Sequence, residues 1–182
     1  SNKVMAETGP KSAAKWALSL LYRTEWVILD TETTGLGTSD EIVQIAILSY
    51  DGSVLLDTLI HPTQPIPTSA TAIHGIKDID VKNAPTFPEV FEQLRSILSG
   101  KTIVIYNAQY DLRLLNQTIA KYNLPPLKID PKCVECAMLK YSAWIGELWE
   151  DGTYKWQRLK GGDHTAVGDC RATLRIIREM AD

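Results

Sequence analysis

The stretch "VILDTETTGL", residues 27–36, passes from apolar to acidic without a break. Trp26, Val27, Ile28 and Leu29 run straight into Asp30, and Glu32 follows two positions later. A short apolar run bounded by turn-forming residues reads as a buried strand. Positions two apart on a strand share a face, so Asp30 and Glu32 lie side by side. Two carboxylates there repel unless something positive sits between them. These residues alone leave two readings open: an ordinary solvated strand end, or a site built to hold positive charge.

Further acids fall at comparable places. "KTIVIY" (101–106) is a second buried strand, and Asp111 stands in the first turn of the helix after it, 108–122. Asp169 falls in the first turns of a final helix, 164–181, and His164 precedes it by five residues. Four acids and a histidine thus occupy the ends of buried elements, where side chains have little freedom and sites are assembled. An oxygen-rich, thiol-free set suits hard cations such as Mg²⁺ or Mn²⁺.

The rest of the chain frames these positions. Ala13, Ala17, Leu20 and Leu21 share a helical face after "GP" at 9–10, with Trp16 beside them. Segments 41–50 and 53–60 are strand-like and are joined by Asp51-Gly52, a tight-hairpin signal. The proline-rich stretch 61–76 reads as loop. Helix 86–98 opens with a capping box from Thr86 to Glu89. Residues 123–131 form a linker or strand edge, 131–144 a helix, and 145–163 is interrupted by four glycines. The order predicts an α/β fold, a mixed sheet with helices on both faces.

At 182 residues one domain is expected, 1–182, with a helical extension over 1–25 and a core over 26–182. The net charge of −3 and pI near 5.6 argue against a broad phosphate-tracking surface. They agree with a site that grips phosphate through cations. No apolar run reaches the length of a membrane span, and the N-terminus lacks the pattern of a signal peptide. Three cysteines cannot all pair. A cytoplasmic protein without a membrane partner is expected.

"DTETTGL" (30–36), "YNAQYDLRLL" (106–115) and "HTAVGD" (164–169) resemble, in order and separation, the three motifs of the DnaQ-like (DEDDh) 3′→5′ exonucleases. "ATAIHGIKDIDVKNAPTFPEVFEQL" (70–94) resembles that family's intermotif stretch. The group includes the proofreading epsilon subunit of a bacterial DNA polymerase and ribonuclease T. The resemblance implies a ribonuclease-H-like fold with a five-stranded mixed sheet. It implies that Asp30, Glu32, Asp111 and Asp169 hold two divalent cations, Mg²⁺ or Mn²⁺, and that His164 is the general base. The same resemblance puts Thr33, Thr34 and Gly35 against the terminal nucleotide and Leu36 between the last two bases. His74 becomes a nucleotide contact, and Asn107 and Tyr110 line the site. The partner so implied is nucleic acid with a free 3′ end, single-stranded or frayed DNA first and RNA second. The product is a nucleoside 5′-monophosphate.

Some residues depart from the pattern. Tyr106 stands where many relatives carry histidine, and Tyr110 where phenylalanine is frequent. The chain stops straight after the last motif's helix, so polymerase partnership is not expected. Three rivals stay open: a dinucleotide phosphodiesterase of the oligoribonuclease kind, a metal-dependent endonuclease of the same fold, and a non-catalytic nucleic-acid-binding module.

Other signals carry less. "GLGTSD" (35–40) has Asp40 where a dinucleotide fingerprint needs its third glycine. Cys133 and Cys136 form one C-x-x-C without a second pair and read as packing residues. Arg171, Arg175 and Arg178 read as a solvated helix face. Trp144, Trp149 and Trp156, interleaved with Lys155, Arg158 and Lys160, fit either a stacking platform or core packing.

Overall fold

The computed structural model describes residues 9–182; the first eight residues of the expected N-terminal extension lie outside that range. The described part of the extension is a helix, α1 (Pro10–Leu21), with proline in its first turn. Strand β1 (Trp26–Thr33) follows, then β2 (Ile42–Ser49) and β3 (Val54–Leu59). The meander turns at Gly52, whose φ of 89° suits the residue. Two short helices come next, α2 (Thr68–His74) and α3 (Asp78–Val81). Helix α4 (Phe87–Leu98) starts where predicted, and the Thr86 N–H donates to Glu89 Oε2 at 3.1 Å. Then come β4 (Thr102–Ile105), α5 (Ala108–Lys121), β5 (Val134–Cys136), α6 (Ala137–Ile145) and α7 (Ala166–Ala181).

The five strands form one sheet in the order β3-β2-β1-β4-β5. The first three strands pair antiparallel, while β4 pairs parallel with both β1 and β5. This is the mixed five-stranded sheet of a ribonuclease-H-like fold. β1 is central, so its two faces are covered differently. Val27 and Leu29 join Phe87, Phe91 and Leu94 of α4 and Leu114 and Ile119 of α5. Trp26 and Ile28 join Ala17 and Leu20 of α1, Tyr141 of α6 and Cys170 and Leu174 of α7. Trp26 is pinned further by its Nε1–H, which donates to the Leu20 carbonyl at 2.9 Å. Among the described residues no helix is long and apolar enough to cross a membrane.

Three local expectations need correction. The stretch 61–76 is not all loop, because Ala70 and Ile76 pack with Val43 and Val81 in a small separate cluster that supports α2. The stretch 131–144 is not one helix. Pro131–Cys133 is a 3-10 turn held by the Asp130 carboxylate, and Val134–Cys136 pairs with β4 before α6 begins. Cys133 and Cys136 therefore share no helical face. The last helix begins at Ala166 rather than at 164, with Thr165 as its cap accepting from the Gly168 N–H at 3.1 Å.

Candidate active site

The parity of β1 sets the site. Asp30 and Glu32 continue the face that carries Trp26 and Ile28, just where apolar cover ends. Asp169, in the first turn of α7, meets them there. One carboxylate oxygen from each of Asp30, Glu32 and Asp169 lies within 4.8 Å of the other two. Asp111 reaches the group from the other face of the sheet. It is buried in the first turn of α5, and the Thr31 hydroxyl donates to its Oδ1 at 2.6 Å.

Burial and mutual repulsion drive all four acids toward the neutral form. Glu32 is pushed up to about 8, first by desolvation and then by Asp169, Asp111 and Asp163. Asp111 is raised to about 7 by desolvation, against the Thr31 hydrogen bond. Asp30 is raised well above the usual range by burial and by Asp111, Asp169 and Glu32. Asp169 is raised by burial and lowered by two backbone donors. The ion pairs among the described residues involve none of the four acids. Asp30 Oδ2 is enclosed and has no hydrogen-bond partner among the described residues. An orphaned carboxylate oxygen inside a cluster of acids, all oxygen donors, fits hard divalent cations.

A tightly bonded loop brings His164 alongside. The N–H groups of Asp163 and His164 both donate to Asp169 Oδ1, at 2.9 and 3.1 Å. Asp163 Oδ1 accepts from the Thr165 N–H and hydroxyl, at 2.9 and 2.7 Å. The Ala166 N–H donates to Gln44 Oε1 on β2 at 2.9 Å. Within this turn His164 is exposed and left-handed, with φ 62°. It lines a cleft of about 880 Å³ together with Asp30, Asp169 and Asn107.

A second cleft of about 640 Å³ adjoins the first through Asn107 and Ile73. Glu32, Thr33, Thr34, Gly35, Leu36, His74, Asn107 and Tyr110 all line it. Its wall is preformed. Thr33 Oγ1 and Tyr110 Oη share a hydrogen bond at 2.8 Å, and both lie within hydrogen-bond distance of the Gly35 carbonyl, at 3.0 and 3.2 Å. Asp40 accepts from the Thr34 hydroxyl and the Gly37 N–H, both at 2.7 Å, and so shapes the "GLGTSD" loop. A Cβ on Gly35 would lie 2.7 Å from Asp40 Oδ2, so a side chain there would displace the carboxylate that holds this loop. Leu36 projects from the loop, 74% exposed.

His74 is already committed to backbone on both ring nitrogens. The Ile76 N–H donates to Nδ1 at 3.0 Å, which leaves the proton on Nε2 to donate to the Thr33 carbonyl, also at 3.0 Å. Burial lowers its basicity, in keeping with that neutral tautomer. His74 therefore ties α2 to the end of β1, and only its ring face and edge remain for a ligand.

Sequence reasoning missed Asp163, which orders the turn at His164 and adds a fifth negative charge, and Gln44, which anchors the start of α7. Asp163 could have been suspected from its place beside His164. Gln44 had no local signal. Cys170 is buried, its thiol pushed up by burial and by Asp30, and it contacts the Ile28 and Ala46 carbonyls. Arg171, Arg175 and Arg178 lie on the exposed face of α7, as expected.

The sheet order defines a ribonuclease-H-like fold, with the acid cluster at the end of its central strand. The chain belongs to the RNase_T exonuclease family, whose model matches residues 27–177. It is 41% identical over 172 residues to the uncharacterized exonuclease CP81 of Escherichia phage 186, covering 85% of this chain and 87% of that one. It is 38% identical over 172 residues to a DNA polymerase III subunit epsilon-like protein of Rhodobacter capsulatus, of which it spans 24%. Exonuclease X in complex with 5′ overhanging duplex DNA superposes with a TM-score of 0.56 at 27% identity, over 85% of this chain and 90% of that one. E. coli Exonuclease I in complex with a dA16 oligonucleotide shares the fold, with a TM-score of 0.68 at 16% identity, over 85% and 40% of the two chains.

Proposed function

We propose that this protein removes nucleotides from 3′ ends of single-stranded or frayed DNA, and secondarily RNA, releasing nucleoside 5′-monophosphates. Residues 26–182 form the catalytic core in this reading, and α1 covers it. The observation that carries the reading is the meeting of Asp30, Glu32 and Asp169 oxygens within 4.8 Å, with Asp111 locked behind them by Thr31. Asp30, Glu32, Asp111 and Asp169 would hold two divalent cations, Mg²⁺ or Mn²⁺. When bound, such a pair neutralises phosphate charge, acidifies the attacking water and stabilises the departing 3′-oxygen.

The chain's own groups do the remainder. His164, in the same cleft as Asp30 and Asp169, accepts the proton of the attacking water. Thr33, Thr34 and Gly35 hold the terminal nucleotide against a wall stiffened by Tyr110. Leu36 enters between the last two bases, and an unpaired end admits it most easily. Asn107, at the junction of the two clefts, lies where the scissile phosphate crosses from one to the other. Two adjoining clefts suit a strand longer than a dinucleotide, which favours the polymer reading over the dinucleotide phosphodiesterase.

The test is a degradation panel with Mn²⁺ on 5′-labelled single-stranded DNA, mismatched duplex DNA, RNA and a dinucleotide. A shortening ladder with mononucleotide release is expected, abolished by chelator and restored by Mg²⁺ or Mn²⁺. His164→Ala is expected to lower turnover about 100-fold or more while retaining cation binding by calorimetry. Internal cuts, or full turnover by that variant, would overturn the reading.

A further inference from the structure

The segment between α6 and α7 folds into a small hairpin. Leu148 and Tyr154 form an antiparallel bridge. The Trp149 N–H donates to the Thr153 carbonyl and the Lys155 N–H to the Glu147 carbonyl, each at 2.8 Å. The turn is closed by Asp151 Oδ1, which accepts from the Thr153 N–H and hydroxyl, and by Gly152 at φ 86°. Two large aromatic rings are left outside the core: Trp149 is 58% exposed and Trp156 68% exposed. That removes the packing explanation for both.

Their position is fixed, not incidental. The Tyr106 hydroxyl donates to the Gln157 carbonyl at 2.5 Å, and the Gln157 N–H donates to Ser142 Oγ on α6 at 3.1 Å. Gln157 is thereby clamped to the end of β4 and to a buried serine. Its neighbours Trp156 and Arg158 are held on the wall of the cleft that contains Asp30, His164 and Asp169. Trp156 also lines a groove of about 1140 Å³ with Trp149 and Lys155, so it joins that groove to the cleft. Lys155 Nζ lies 4.8 Å from the Trp149 ring centroid. Neither Lys155 nor Arg158 has a carboxylate partner within ion-pair distance among the described residues.

We propose that Trp156 and Trp149, with Arg158 and Lys155, form a track on which the single strand 5′ of the scissile nucleotide stacks as it enters the cleft. The inference rests on the functional reading above. Exposed aromatic rings alternating with unpaired cations are what a single strand of nucleic acid requires: each base offers a π-face and each linkage a charge. Continuity with the cleft through Trp156 selects that strand as the occupant. The acidic tip, Glu150 and Asp151, sets the limit of the track, because like charge turns phosphate away there.

The test is binding of 5′-fluorescein oligothymidylates dT2 and dT16 to the full chain in Ca²⁺, read by anisotropy at several salt concentrations. Wild-type affinity should rise from dT2 to dT16. Trp156→Ala should weaken dT16 binding about tenfold and shrink that rise, while Trp156→Phe keeps most of it. Arg158→Ala should reduce the slope of log Kd against log salt by about one. Equal affinity of wild type for both lengths, wild-type dT16 binding by Trp156→Ala, or equal loss in the Ala and Phe variants would each overturn the track. Turnover of dT16 with Mn²⁺ is a separate arm. A wild type that binds by length but cuts nothing would sink the nuclease reading and leave the track standing.

Discussion

Asp30 and Glu32 show how one strand end can be both rigid and electrically unfavourable. Apolar cover on Trp26 and Ile28 fixes the backbone, and the next two positions on the same face must then hold charge against charge. The consequence is a pH dependence with a definite sign. Glu32 rises from an ordinary 4.5 to about 8 in the folded chain, and Asp111 rises to about 7. Between the ordinary and the raised values the unfolded chain binds fewer protons than the folded one, so stability falls as pH rises. In chelator, the Tm of the protein should therefore decline from about pH 5 to about pH 8. Mn²⁺ should remove most of that decline, since cations supply the missing positive charge. A Tm that rises over this range in chelator would show that the acids are not desolvated together. His74 shows the opposite economy at this scale: both nitrogens are spent on backbone, so it shapes the site before any ligand arrives.

At the scale of elements, the turn before α7 is the most constrained piece of the site. Asp163 holds Thr165 and abuts Gly168, and Asp169 holds the backbone of Asp163 and His164. A Cβ on Gly168 would run into the Asp163 carboxylate. Gly168→Ala should thus displace the turn and with it His164. The expected result is a fall in kcat of about tenfold or more with helix content unchanged by circular dichroism. Unchanged kcat would mean that His164 does not depend on this turn. Sequence reasoning located α7 from its apolar stripe but placed its start at the histidine. The period marks the buried face; the cap is decided by the hydrogen bond from Gly168 to Thr165. For the same reason the sequence pattern carries the helix back over β5. Three residues, Val134 to Cys136, carry too little pattern to outweigh the helix behind them, and only pairing with β4 makes them a strand.

Across the whole molecule, the site depends on two cores meeting at β1. Helix α1 belongs to the second core, with Ala13, Ala17 and Leu20 buried against α6 and α7. Leu20 is fully buried beside Trp26, the residue that starts β1. Leu20→Ala is expected to cost about 2–5 kcal/mol of stability by denaturant unfolding. A loss below about 0.5 kcal/mol, the range of surface substitutions, would mean that α1 is not integral to the core. The placing of the acids was legible in the chain: that Asp30, Glu32, Asp111 and Asp169 stand at strand and helix ends, and that an all-oxygen donor set suits hard cations, follow from residue type and local period. Residue type and local period gave neither the approach of Asp111 from the far face nor the shared cleft of His164 and Asp30, which only the family resemblance implied, and they left the exposure of Trp149 and Trp156 open. Those depend on parallel pairing of β4 beside β1 and on loops bonded to distant residues such as Gln44 and Tyr106. A local pattern fixes which way a side chain points along its own element, but the distance between elements is set by packing that no short window of sequence contains.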